Sequence, residues 1–144
     1  MSNTAPKPTG VFIFASWLCL VVGLGAYGAG LWNTAEMQLN EKGYYLTVML
    51  YGLFSAVSLQ KTVRDRMHGI PVTHLYVGLC WASLIICITL LSVGLWNAHL
   101  ALPEKGFYGM SFVLSLFATV AIQKNVRDSA HVEPERVDRL ERLE

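Results

Sequence analysis

Four histidines (His68, His74, His99 and His131) and three cysteines (Cys19, Cys80 and Cys87) are the side chains in this sequence best suited to metal or nucleophilic chemistry. The histidines are scattered, with no His-x-x-x-His or Glu-x-x-His pair to place two ligands on one helical face. A zinc site needs three or four converging ligands, so no metal site is expected. The cysteines fall inside apolar stretches and are read as small hydrophobic residues. There is no Cys-x-x-Cys, no Gly-x-Ser-x-Gly and no glycine-rich phosphate loop. The sequence therefore offers no catalytic residue, no metal ligand and no cofactor site, and it is not read as an enzyme.

The charged residues that remain are grouped in blocks that each occur twice. Glu41-Lys42-Gly43 returns as Glu104-Lys105-Gly106, each just before an apolar run. A carboxylate in an entering helical turn favours the positive end of the helix dipole. With Trp32, Asn33, Trp96 and Asn97, these Glu and Lys residues form a candidate feature at one membrane face. Gln60-Lys61-x-Val63-Arg64-Asp65 returns as Gln123-Lys124-x-Val126-Arg127-Asp128. Lys61 and Asp65, four residues apart, share a helical face, as do Lys124 and Asp128. Lys61, Arg64, Asp65, Lys124, Arg127 and Asp128 form a candidate collar at the opposite face, suited to anionic lipid headgroups or a partner's acidic segment.

The elements that must position these blocks follow from where charge is missing. Of 144 residues, 53% are hydrophobic and only 15% charged; about 25% charged is usual for a soluble domain. No Asp, Glu, Lys or Arg occurs in Gly10–Thr34, Gly43–Gln60, Gly69–Pro103 or Gly106–Gln123. The apolar runs inside these gaps are Val11–Trp32, Tyr44–Leu59, Leu75–Trp96 and Phe107–Ile122. A bilayer core of about 30 Å takes about 20 helical residues. The first and third runs reach that length alone. The second and fourth reach it if Lys61, Arg64, Lys124 and Arg127 snorkel to the headgroups. Four soluble helices would each need a polar face, and these have none. Lys7, the first apolar run and Ala26-Tyr27-Gly28 superficially resemble a secretory signal, but the run is too long and has a copy deep in the chain. The net charge of +1 supplies no basic field for nucleic acid.

That copy is part of an internal duplication. Trp17–Asn33 aligned with Trp81–Asn97 gives six identities in 17 positions, and Glu41–Asp65 aligned with Glu104–Asp128 gives twelve in 25. The expected architecture is an all-α integral membrane protein with four transmembrane helices, arranged as two helical hairpins. An even number of spans per unit makes the repeats parallel, not inverted. The expected organisation is an N-terminal arm over residues 1–10, a first repeat over 11–65, a linker over 66–74, a second repeat over 75–128 and a tail over 129–144.

Gly30-Leu31-Trp32-Asn33, the run from Glu36 to Tyr45, and Gln60–Asp65 resemble the YiaA/YiaB family of small bacterial inner-membrane proteins, with its two-helix domain. Gly94–Ala98, Glu104–Tyr108 and Gln123–Asp128 match the same pattern a second time. The resemblance covers about Val11 to Asp128. It implies a multi-pass protein of the bacterial inner membrane and implies no activity, cofactor or catalytic residue.

Lys7, Lys61, Arg64, Arg66, Lys124 and Arg127 lie on one side of these spans; only Lys42 and Lys105 lie on the other. The positive-inside rule then places both termini in the cytoplasm and Trp32 and Trp96 at the periplasmic interface. Gly23, Gly25, Gly28 and Gly30, with Ala26 and Ala29, give the first helix a small-residue face. Ala26 and Gly30, together with Gly94 of the second repeat, are the expected sites of close helix packing. The tail from Ser129 is read as a short surface helix opened by Pro134, or as a frayed end. Because the spans contain no charged residue, a proton relay is disfavoured. The expected role is structural or protein-interacting, in a homo-oligomer or a larger membrane complex. The alternative is a channel or transporter for a small solute, acting as an oligomer.

Overall fold

A computed structural model describes residues 7–143, except for the side chains of residues 131–136. The chain forms four helices: α1 (Gly10–Asn33), α2 (Leu39–Met67), α3 (His74–Asn97) and α4 (Leu102–Glu141). Each contains a segment long and apolar enough to cross a membrane, the one in α4 being Leu102–Ala130.

The helix ends explain why the repeated sequence blocks sit where they do. Thr9 and Thr73 cap α1 and α3, their hydroxyls accepting from Phe12 N–H and Tyr76 N–H, each at 3.3 Å. At the other end, the Asn33 and Asn97 amides donate to the carbonyls of Ala29 and Val93, each at 2.9 Å. The side chains thus fold back on their own helices, while Thr34 N–H and Ala98 N–H take the next carbonyls, those of Gly30 and Gly94. Helix α2 ends in a Schellman turn: Gly69 N–H donates to Arg66 C=O and Ile70 N–H to Asp65 C=O. Gly69 has φ +73°, which a glycine adopts without steric penalty. Pro71 follows and the chain re-enters at α3.

The hairpins of the connectivity are not the pairs of the packing. Helix α1 packs mainly on α4, and α3 mainly on α2; α2 and α4 meet in the middle. Helices joined by a turn, α1 with α2 and α3 with α4, touch little. Each repeat therefore lends its first helix to the second helix of the other. The core lies in the half of the bundle nearest the α1–α2 and α3–α4 turns. It is built on Tyr27, Tyr45, Met49, Cys87, Leu91, Tyr108 and Phe112. Tyr45 and Tyr108, equivalent positions in the two repeats, stack where α2 meets α4 (centroids 6.3 Å, planes 19°). Tyr27 meets Tyr108 edge-on at 5.7 Å, and its hydroxyl donates to Tyr45 C=O at 2.8 Å.

Two expectations are corrected. The small residues of α1 do not form one packing face. Gly23 and Gly30 lie against α4, whereas Gly25 and Gly28 have open space beside them and Ala29 is exposed. Ala26 is half-buried. A 3.6-residue period explains the split: Gly23 and Gly30, seven apart, share a face that Gly25 and Gly28 do not. The tail is not a separate helix opened by Pro134, since α4 continues to Glu141. The side chains of His131, Pro134, Glu135 and Arg136, and the residue Glu144, lie outside the described residues. Val137, Leu140 and Leu143 are exposed along the extension, and Arg142 pairs with Asp138 at 2.7 Å.

Candidate functional site

The two polar ends of the bundle carry the candidate residues. At the end bearing the α1–α2 and α3–α4 turns, each turn closes by the same pair of bonds. Glu41 Oε2 accepts from Gln38 N–H at 2.7 Å, and Glu104 Oε2 from Ala101 N–H at 3.1 Å. Lys42 Nζ reaches back to Trp32 C=O at 3.4 Å, and Lys105 Nζ to Trp96 C=O at 3.2 Å. Glu thus caps the entering helix while Lys draws on the last carbonyls of the helix just left. Both indoles are 85% exposed, a position suited to headgroup depth. Trp32, Asn33, Glu41 and Lys42 therefore form one clasp within the first hairpin, and Trp96, Asn97, Glu104 and Lys105 form its copy in the second.

The turns are unequal: residues 34–38 make the first and 98–101 the second. Between the first turn and the end of α3 lies a recess of about 280 Å³. Met37, Tyr45 and Gly94 contribute to its floor, and Glu36, Glu41 and His99 to its rim. Of the clasp residues, only Glu41 and Asn97 line it. Glu36, Met37 and His99 were not singled out from the sequence as a site. The one signal for them was the extra residue in the first turn, and turn length alone does not reveal a concavity.

At the opposite end stand the collar residues. Lys124 pairs with Asp128 at 2.8 Å, with 63% and 21% of the two side chains exposed, an ion pair worth a few tenths of a kcal/mol (about 0.3–0.5). Lys61 and Asp65 do not come within ion-pair distance, and among the described residues Lys61, Arg64, Arg66 and Arg127 make no ion pair. Just inside this collar, each crossing holds a buried polar pair that sequence reasoning missed. Asn125 Nδ2 donates to Ser16 Oγ at 3.3 Å, and Thr62 Oγ1 lies 3.6 Å from Cys80 Sγ. Asn125 and Thr62 are the variable positions within the two Gln-Lys-x-Val-Arg-Asp blocks. Polarity at both was the signal available. Cys87, at the middle of the other half, donates to Val48 C=O at 3.2 Å. Among the described residues, no three His, Cys, Asp or Glu side chains converge as a metal site requires.

The comparisons with known proteins bear on the whole of this frame. The yiaA/B two helix domain matches the chain twice, at residues 12–65 and 76–128. The chain belongs to the YiaA/B two-helix family. It is 57% identical over 129 residues to the inner membrane protein YiaA of Escherichia coli (strain K12), covering 90% of this chain and 88% of that protein. It is also 35% identical over 66 residues to the uncharacterized membrane protein YubF of Bacillus subtilis (strain 168), covering 46% of this chain and 76% of that protein. No solved structure gives a significant match to the chain. Together with the four apolar helices, this membership makes the chain a multi-pass protein of the inner membrane. In this YiaA/B chain the matched segments coincide with the two helix pairs that carry the clasps, and the family names no catalytic activity.

Proposed function

We propose that the chain is a structural, protein-interacting component of the inner membrane that works through its outer surface, without catalysis and without a conducting lumen of its own. The observation that supports this reading is the filled interior. Tyr27, Met49, Cys87, Phe112 and Ser115 are all under 2% exposed, so bulky side chains occupy the space between the helices. The outward faces of α1 and α3 are apolar and offer Leu18, Val22, Ile86 and Val93 to lipid, to a second copy or to a larger membrane complex. Both termini and the collar face the cytoplasm in this reading, and the clasps face the periplasm. The unpaired Lys61, Arg64, Arg66 and Arg127 then sit at the anionic leaflet, where each basic residue contributes about 1 kcal/mol of attraction.

The test is co-purification of the tagged chain at native expression, with partners identified by mass spectrometry, beside solute flux in proteoliposomes. A stoichiometric protein partner, or a stable homo-oligomer, without flux above empty vesicles is the expected result. Solute-dependent flux would favour an oligomeric channel and overturn the reading. Orientation is checked by labelling in intact cells: Gln38→Cys and Leu100→Cys react with an impermeant maleimide, and Arg66→Cys reacts only after permeabilisation.

A further inference from the structure

We propose that the recess between the first turn and the end of α3 is a binding site for a small organic ammonium group. Its charge points to a cation. Glu36 and Glu41 line it, and no Lys or Arg does. The nearby Lys42 and Lys105 are both drawn back onto tryptophan carbonyls. Glu41 uses one carboxylate oxygen, Oε2, on Gln38 N–H; Oε1 remains for a ligand.

The walls point to an organic cation. Tyr44 and Tyr45 meet edge to face, with centroids 5.3 Å apart and planes at 85°, and so form an aromatic corner. Aromatic faces attract ammonium groups through the ring quadrupole. Tyr45 is 4% exposed, yet its hydroxyl makes no hydrogen bond among the described residues. That hydroxyl lies 3.2 Å from where a Cβ on Gly94 would stand, and Gly94 is itself part of the lining. The hydroxyl oxygen keeps contact with solvent through the recess and can accept a hydrogen bond from a donor placed there. A primary ammonium supplies three N–H donors, enough for the Tyr45 oxygen and the Glu36 and Glu41 carboxylates together. The volume of about 280 Å³ falls just below that of drug-sized sites, which suits an amine of a few carbons.

The second repeat keeps an aromatic corner, Phe107 against Tyr108 at 5.7 Å and 75°, and a buried Tyr108 without a hydroxyl hydrogen bond among the described residues, but its turn differs. That turn is shorter and contains no acidic residue, and Phe107 stands where the first repeat has Tyr44. Tyr108 is accordingly the internal control for Tyr45.

Two sources could supply the ammonium group, a free amine or the ethanolamine headgroup of a phospholipid, since the recess opens at the level of Trp32 and Trp96. The experiment titrates ethanolamine, against matched sodium chloride, into the full chain in phosphatidylglycerol nanodiscs by calorimetry, and repeats it in discs containing phosphatidylethanolamine. Saturable amine binding is expected, weakened about tenfold by Glu36→Gln, the loss of one charged hydrogen bond. Tyr45→Phe weakens it several-fold (about threefold to tenfold), and Tyr108→Phe leaves it unchanged. Weaker apparent affinity in the phosphatidylethanolamine discs identifies the headgroup as occupant, and equal affinity identifies a free amine; both support the site. No saturable heat beyond the sodium control, or equal affinity in the parent chain, Glu36→Gln and Tyr45→Phe, overturns it.

Discussion

The α1–α4 and α2–α3 crossings use equivalent positions of the two repeats but place the missing side chain on opposite helices. In the first, Gly23 of α1 faces Ser115 of α4; a Cβ there would meet Ser115 Oγ at 2.5 Å, with Ser115 N at 3.1 Å and Ser111 O at 3.3 Å behind it. In the second, the position equivalent to Gly23 is Cys87, and that equivalent to Ser115 is Gly52. A Cβ on Gly52 would meet the Phe112 ring at 2.7 Å and Cys87 Sγ at 3.1 Å. Each crossing needs one gap, and either helix can provide it. The difference lies in what fills the gap. At Gly23 it is the Ser115 hydroxyl with backbone close behind it, which cannot turn aside. At Gly52 it is side chain alone, the Phe112 ring from α4 and the Cys87 thiol from α3, which can. Helix association in lipid rests on packing of this kind, because burial from water provides no drive between the helices.

The comparison can be broken most completely by separating the repeats. Expressed alone, residues 1–68 keep α1 and α2, which hardly touch each other, and lose both main partners. The fragment should be protease-sensitive or self-associated, and co-expression with residues 69–144 should restore a co-purifying, resistant complex. A monomeric, resistant single hairpin would refute the crossed arrangement.

A smaller effect distinguishes the crossings from each other. Gly23→Ala should destabilise the bundle by about 2 kcal/mol and Gly52→Ala by about 1 kcal/mol, since overpacking against backbone relaxes least. Gly25→Ala should stay within about 0.5 kcal/mol, because nothing lies within 4 Å. Unfolding in detergent, read at two protein concentrations, checks the order. The loss for Gly23→Ala should not depend on concentration, because its contact is within the chain.

The smallest effect concerns the polar pairs. Asn125→Leu and Thr62→Val should each change stability by less than about 1 kcal/mol, as hydrogen bonds between membrane helices average about 0.6 kcal/mol. Asn125 Oδ1 is buried without a partner, so its replacement forfeits only the bond to Ser16. A loss well beyond that range would assign the pair a larger share of the α1–α4 crossing.

Much of the frame could be read from residue order because it depends on local rules. Span length, the Asn33 and Asn97 ends and the Glu41 and Glu104 caps involve groups within a few positions of one another. The collar pair was legible in one repeat only: Lys124 meets Asp128, whereas Lys61 and Asp65 share the spacing and do not pair. Such exposed ion pairs are too weak to dictate a rotamer. Repetition singled out Gly30 and Gly94. Each lies under a pair of aromatic rings, Phe107 and Tyr108 in one case and Tyr44 and Tyr45 in the other.

By itself the sequence determined four apolar helices, their capped ends and their membership of one repeated family, since hydropathy and capping act along the chain. Only the tertiary structure decided that α1 belongs with α4 and α3 with α2, and that the longer first turn leaves a recess over Tyr45. The physical reason is that a membrane span is apolar all round. Its residue pattern carries little record of which face meets a neighbour, and that choice falls to steric fit between particular glycines and the groups that enter their gaps.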